Sequence, residues 1–89
     1  MTNRDTPYAR ELCTASHTLP NGSEARIERL YVKGEDQEEI RFSWWKDGKL
    51  MMRPLDLSEA DMVLLLREAV AQQVFSPDTI TDMRAIFSA

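Results

Sequence analysis

The hydrophobic period of this chain changes at Pro54, and that change leaves few architectures open. Ahead of Pro54, β-forming residues come in short runs separated by turn signals; behind it, apolar residues recur at helical spacing. Strands followed by helices predict an α+β fold rather than a doubly wound sheet. RELCTASHTL over 10–19 reads as a weak strand. Pro20 then fixes φ, and Asn21-Gly22 tolerate positive φ, so a hairpin is expected. EARIERLYVK over 24–33 reads as a second strand, and the acidic stretch GEDQEE as a solvated loop. IRFSWW over 40–45 is the richest in aromatic and branched residues and reads as the strongest strand. Lys46-Asp47-Gly48 turns it back into KLMMRP, which Pro54 ends or confines to a sheet edge.

Beyond Pro54, Met62, Leu65, Leu66, Ala69 and Val70 follow the i, i+3, i+4, i+7 pattern of one helix face. Ser58 fits the N-cap, with Glu59 and Asp61 in the first turn where the helix dipole favours them. The same grammar restarts at Ser76, with Pro77 in the first helical position and Asp78 in the first turn. Ile80, Met83, Ile86 and Phe87 form a short apolar stripe on that second helix. The expected order is β-β-β-β-α-α: an antiparallel meander of three to four strands, covered by a long C-terminal helix and followed by a short second one. Eighty-nine residues hold one hydrophobic core, so residues 10–89 are expected to form a single domain behind a loose N-terminal arm over 1–9.

Alternation along a strand sends Trp44 and Trp45 to opposite faces. Ile40, Phe42 and Trp44 look like the core side. A two-residue Asp47-Gly48 loop would set Lys46 against Lys49 and bring Arg53 opposite Phe42 on that side. A three-residue loop over 46–48 instead sets Trp44 against Leu50 and Phe42 against Met52, which is the expected register. Arg29, Tyr31, Arg41, Trp45, Lys49, Met51 and Arg53 then share the outer face with Lys33. Aromatic rings set among cations are a recipe for single-stranded nucleic acid, whose bases stack and whose phosphates pair. The same surface also suits cross-strand packing, a homodimer or a protein partner.

The antiparallel sheet, the D-G hairpin and the stretch LDLSEADMVLLLREA, spanning about residues 40–70, resemble the PC4-type single-stranded-DNA-binding coactivators. The resemblance implies a basic-aromatic sheet leading into a dimerising helix. The chain departs from that family in its overall acidity, with a net charge of −4, and in the second helix after Pro77.

Charge is unevenly spread. Residues 26–33 and 40–53 are basic, whereas Arg67 and Arg84 face six acidic residues from Asp56 onward. One cysteine, Cys13, allows no internal disulfide and fits a reducing compartment. No basic-then-apolar leader and no run near the roughly 20 apolar residues of a membrane span is present, so a cytoplasmic protein is expected. Catalysis has little to build on. Cys13 and His17 share a strand face but stand about 13 Å apart by strand rise. The acidic loop lacks the spacing of a calcium site, further zinc ligands are missing, and no phosphate loop or nucleophile elbow occurs. The expectation is a non-enzymatic interaction module without metal or cofactor, homodimeric and acting on a protein partner. Self-association is expected through Ile80, Met83, Ile86 and Phe87. Single-stranded nucleic-acid binding is the alternative.

Overall fold

The computed structural model describes residues 4–89. Its elements run β1 (Ala9–Thr18), β2 (Glu24–Val32), β3 (Gln37–Lys46), β4 (Lys49–Leu50), α1 (Glu59–Ala71) and α2 (Pro77–Phe87). The strands form one antiparallel sheet in the order β1-β2-β3-β4, so the fold is the α+β meander with two C-terminal helices that the change of period predicts. Gly22, at φ 87°, lets the β1–β2 turn close, with its N–H donating to the Leu19 carbonyl at 2.9 Å.

One face of the sheet carries Cys13, Ala15 and His17 from β1, Ala25, Ile27 and Arg29 from β2, and Ile40, Phe42 and Trp44 from β3. α1 lies on this face over β1 and β2 and makes no comparable contact with β3. Small side chains explain the placement. Ala15, Ala25 and Ala69 are buried at the contact and let the helix settle close to the strands. Ile27, Leu65 and Val74 fill what remains, with Leu55, Leu57, Leu66 and Phe75 around them. Met62 and Val70, expected to cover the sheet, lie exposed instead.

The caps are as the sequence suggests. Ser58 Oγ accepts the Asp61 N–H at 3.1 Å, and Ser76 Oγ accepts the Thr79 N–H at 3.3 Å. α1 ends with Gln73 in the left-handed region at φ 60°. The Gln73 N–H donates to the Val70 carbonyl and the Val74 N–H to the Ala69 carbonyl, the paired bonds of a Schellman turn. That turn drives Val74 into the core beside Ala69.

The β3–β4 turn differs from the expected one. Lys46 pairs with Lys49 and Trp45 with Leu50, which leaves a two-residue loop of Asp47 and Gly48 at φ 51° and 75°. Two positive φ values define the turn whose twist matches the flanking strands, and the facing lysines are exposed and screened by water. The objection to this register, Arg53 opposite Phe42, does not arise, because β4 ends at Leu50.

Residues 4–8, expected to belong to a loose arm, lie along the sheet margin. Asp5 forms a bridge with Arg10, and the Glu11 N–H donates to the Arg4 carbonyl at 2.8 Å. Residues 1–3 of that arm fall outside the described residues.

Candidate functional site

The expected basic-aromatic face does not assemble. Arg29 and Tyr31 stand opposite Ile40 and Glu38, on the helix side, whereas Arg41 stands opposite Glu28 on the other side. Leu30 and Val32 form a separate small cluster with Ala9 on the open side. Lys49 pairs with Lys46 and so leaves the side that Trp45 and Leu50 share. The Met51 N–H donates to the Trp44 carbonyl, and Arg53 lines a cleft with Trp44, Leu19 and Pro54. The seven residues are therefore divided between two faces. Two registers divide them: the β2–β3 pairing parts Arg29 and Tyr31 from Arg41 and Trp45, and the two-residue β3–β4 turn moves Lys49, since one residue of slip exchanges the faces of a strand.

The two tryptophans exchange their expected environments. Trp45 is 5 % exposed, although it lies on the side without a helix. Arg26 covers its ring at 4.0 Å and Arg4 at 5.1 Å, and its Nε1–H donates to Ser43 Oγ at 2.9 Å. Trp44 is half-buried and donates to Ser23 Oγ at 2.8 Å. Its expected companions Phe42 and Met52 are 57 % and 92 % exposed, because α1 does not reach β3.

Ser43 ties Trp45 to a network that sequence reasoning missed. Glu28, in the middle of the central strand, is fully buried. Its carboxylate accepts from Arg41 Nε at 3.0 Å, Arg41 Nη2 at 2.9 Å and Ser43 Oγ at 2.7 Å. A β-bulge at Leu12 turns Glu11 onto the same side. Glu11 Oε1 lies 3.8 Å from Arg41 Nη2, buried and without a hydrogen-bond partner in the described residues. Burial raises the Glu11 carboxyl above its ordinary value, and so does the neighbouring Glu28 carboxyl. Burial pushes Glu28 upward too, but the bonds from Arg41, Glu11 and Ser43 outweigh it and hold that carboxyl low. The two carboxyls beside Arg41 are thus shifted in opposite directions. The signal in the sequence was an acidic residue in the middle of a β-forming run, flanked by Ile27 and Arg29.

His17 and Cys13 share the helix side, as alternation requires, and each binds α1 or its end. His17 Nε2 lies 2.9 Å from Asp61 Oδ1, and Cys13 Sγ donates to the Gln72 carbonyl at 2.7 Å. The His17 contact and the Ser58 hydroxyl hold the Asp61 carboxyl below its ordinary value. Both side chains join strand to helix.

Among the described residues, the apolar surface left uncovered lies along the helices. None of the eleven residues of α2 is buried. Ile80, Met83 and Phe87 line a groove of about 300 Å³ with Val70 of α1, and Ile86 stands exposed at its margin. A second groove of about 530 Å³ continues past Val70, Phe75 and Ile80 to Arg29 and Glu38 at the start of β3. The stripe expected on the second helix is thus assembled with α1 into one apolar ridge. No helix among the described residues is long and apolar enough to cross a membrane.

No family model, no curated protein and no solved structure matches the chain.

Proposed function

We propose that this chain is a small non-enzymatic protein-interaction module, homodimeric, which seats a protein partner on the apolar ridge of α1 and α2. The observation that carries the reading is α2 itself: Ile80, Met83, Ile86 and Phe87 form its stripe, yet none of its residues is buried. An isolated helix this short is marginal in water and draws its stability from a covered apolar face. A large exposed patch of this kind marks an interaction surface. Arg84 borders the groove, and Arg29 and Glu38 close its continuation with one charge of each sign, so the complementary partner is an apolar segment.

The test places a photoreactive phenylalanine analogue at Phe87 in cells that make the chain naturally, with Glu35 in the β2–β3 turn as the control position. The expected result is one discrete adduct at Phe87 that is absent at Glu35. Equal labelling at both positions, or an adduct of two copies of this chain, overturns the assignment of the ridge to a partner.

A further inference from the structure

The sheet has two margins, and they are built differently. At β1 the margin is interrupted by the Leu12 bulge and covered at Arg10 and Glu11 by the arm, which bonds there through Asp5 and Arg4. Bulges and covering segments are the usual defences of an exposed strand. β3 lacks them. It pairs with β2 from Gln37 to Trp45, but β4 meets it at Trp45 and Lys46 alone, with one further bond from the Met51 N–H to the Trp44 carbonyl at 2.8 Å. From Gln37 to Ser43, β3 therefore has a strand on one side among the described residues.

The hairpin determines which backbone groups face the open margin. Lys46 closes the two-residue turn and Trp44 bonds to Met51, so both direct their backbone groups toward β4. Backbone direction alternates along a strand. Phe42, Ile40 and Glu38 therefore present their N–H and C=O groups to the open margin, while Arg41 and Ser43 are turned toward β2.

We infer that two copies of this chain pair antiparallel through the open margin of β3, about a two-fold axis at Ile40, to make one sheet continuous through both. The charge pattern selects this register. With the axis at Ile40, each Glu39 opposes Arg41 of the second copy, in the closely spaced non-hydrogen-bonded pairs. Ile40 exchanges both backbone bonds with its symmetry mate, and Glu38 does so with Phe42. An axis at Glu38, Glu39 or Arg41 sets each of those charges against itself. An axis at Phe42 requires the Trp44 carbonyl, which Met51 already holds. Arg41 spends Nε and Nη2 on Glu28, which leaves Nη1 for the incoming Glu39. Phe42, 57 % exposed in the single copy, comes to lie diagonally beside Ile40 of the second copy. A two-fold axis perpendicular to the sheet keeps both helical ridges on one side of it.

This inference deepens the reading of the chain as an interaction module by supplying its dimer, and it uses none of the ridge residues. Light scattering on the full chain across a dilution series should show a dimer that dissociates. Phe42→Pro removes an N–H directed at the open margin and none directed at β2, so it should give a folded monomer. Glu39→Lys sets like charges opposite each other and should raise the dissociation constant about tenfold. Ile40→Cys, in a Cys13→Ser background, should form a disulfide-linked dimer on oxidation, because paired Cα atoms about 5.5 Å apart suit a disulfide. Glu35→Cys in the same background should not. A chain that is monomeric throughout, or an Ile40→Cys variant that fails to link while the dimer persists, overturns the inference. A dimer lost in Phe87→Asp but kept in Glu39→Lys moves the contact to the ridge, which defeats the β3 pairing and leaves the interaction-module reading standing. Failure of the Phe87 cross-link with Ile40→Cys still linking does the reverse.

Discussion

Glu28 shows how a single side chain can reverse the character of a face. A buried carboxylate is costly unless it is paired and hydrogen-bonded, and here Arg41 and Ser43 supply both. Glu11 adds a second acid, whose carboxyl burial and the neighbouring Glu28 hold above its ordinary value. The two shifts have opposite consequences for stability. The contribution of Glu11, whose carboxyl is raised in the folded state, is full below its ordinary value of 4.5 and is lost as pH rises through its folded value. The contribution of Glu28, whose carboxyl is lowered, is present above 4.5 and is lost as pH falls through its folded value. Glu11→Gln keeps a neutral donor toward Glu28 and an acceptor for the Arg4 N–H. The variant should therefore gain on the native chain as pH rises from 4.5 toward neutrality, read as the difference between urea midpoints. A difference that stays flat across that range would exclude the raised Glu11 carboxyl. The sequence shows Glu11 and Glu28 plainly as residues. It does not show that the bulge at Leu12 brings them to one side, because a bulge is set by strand pairing and not by local composition.

At the scale of elements, helix limits were the most legible. Ser58 and Ser76 cap as their positions suggest, since capping depends on a few neighbouring residues. The Schellman turn after α1 was less visible, because it puts Gln73 where glycine is usual. Gln73→Gly should relieve the left-handed strain and stabilise the chain by about 0.5–1 kcal/mol, after the entropy cost of glycine is subtracted. Thermal unfolding followed by circular dichroism measures this, and a loss of stability would mean that the Gln73 side chain contributes more than its backbone costs. The Asp47-Gly48 turn carried the largest consequence. Both registers were available to the sequence, and the core side was assigned to Phe42 and Trp44 on hydrophobicity. The helix covers β1 and β2 instead, so that assignment lost its premise.

Over the whole molecule, apolar surface is unevenly spent. Leu65 is buried in the core, whereas Phe87 is 79 % exposed on α2. Leu65→Ala should cost about 2–5 kcal/mol. Phe87→Asp should change the stability of the single copy by no more than about 0.5 kcal/mol, although a phenylalanine is lost. Denaturant unfolding of both variants at low protein concentration checks the pair. A large loss in Phe87→Asp would show that α2 is held to its own chain after all. The stripe on α2 was legible as a period, but its lack of cover was not, since periodicity marks an apolar side without naming what packs on it.

The sequence by itself determined the order of elements, the turns that punctuate them, the caps of both helices and the alternation that separates Trp44 from Trp45. These depend on interactions within a few residues. The tertiary structure decided which strands the helix covers, and with it the exposure of Phe42; it also decided the cover of Trp45 by Arg26 and Arg4, the approach of Glu11 to Glu28 at the bulge and the open margin of β3 among the described residues. Period two gives a strand two faces but no label for the inner one. That label came from Ala15, Ala25 and Ala69, three small residues far apart in the chain that admit α1 over β1 and β2.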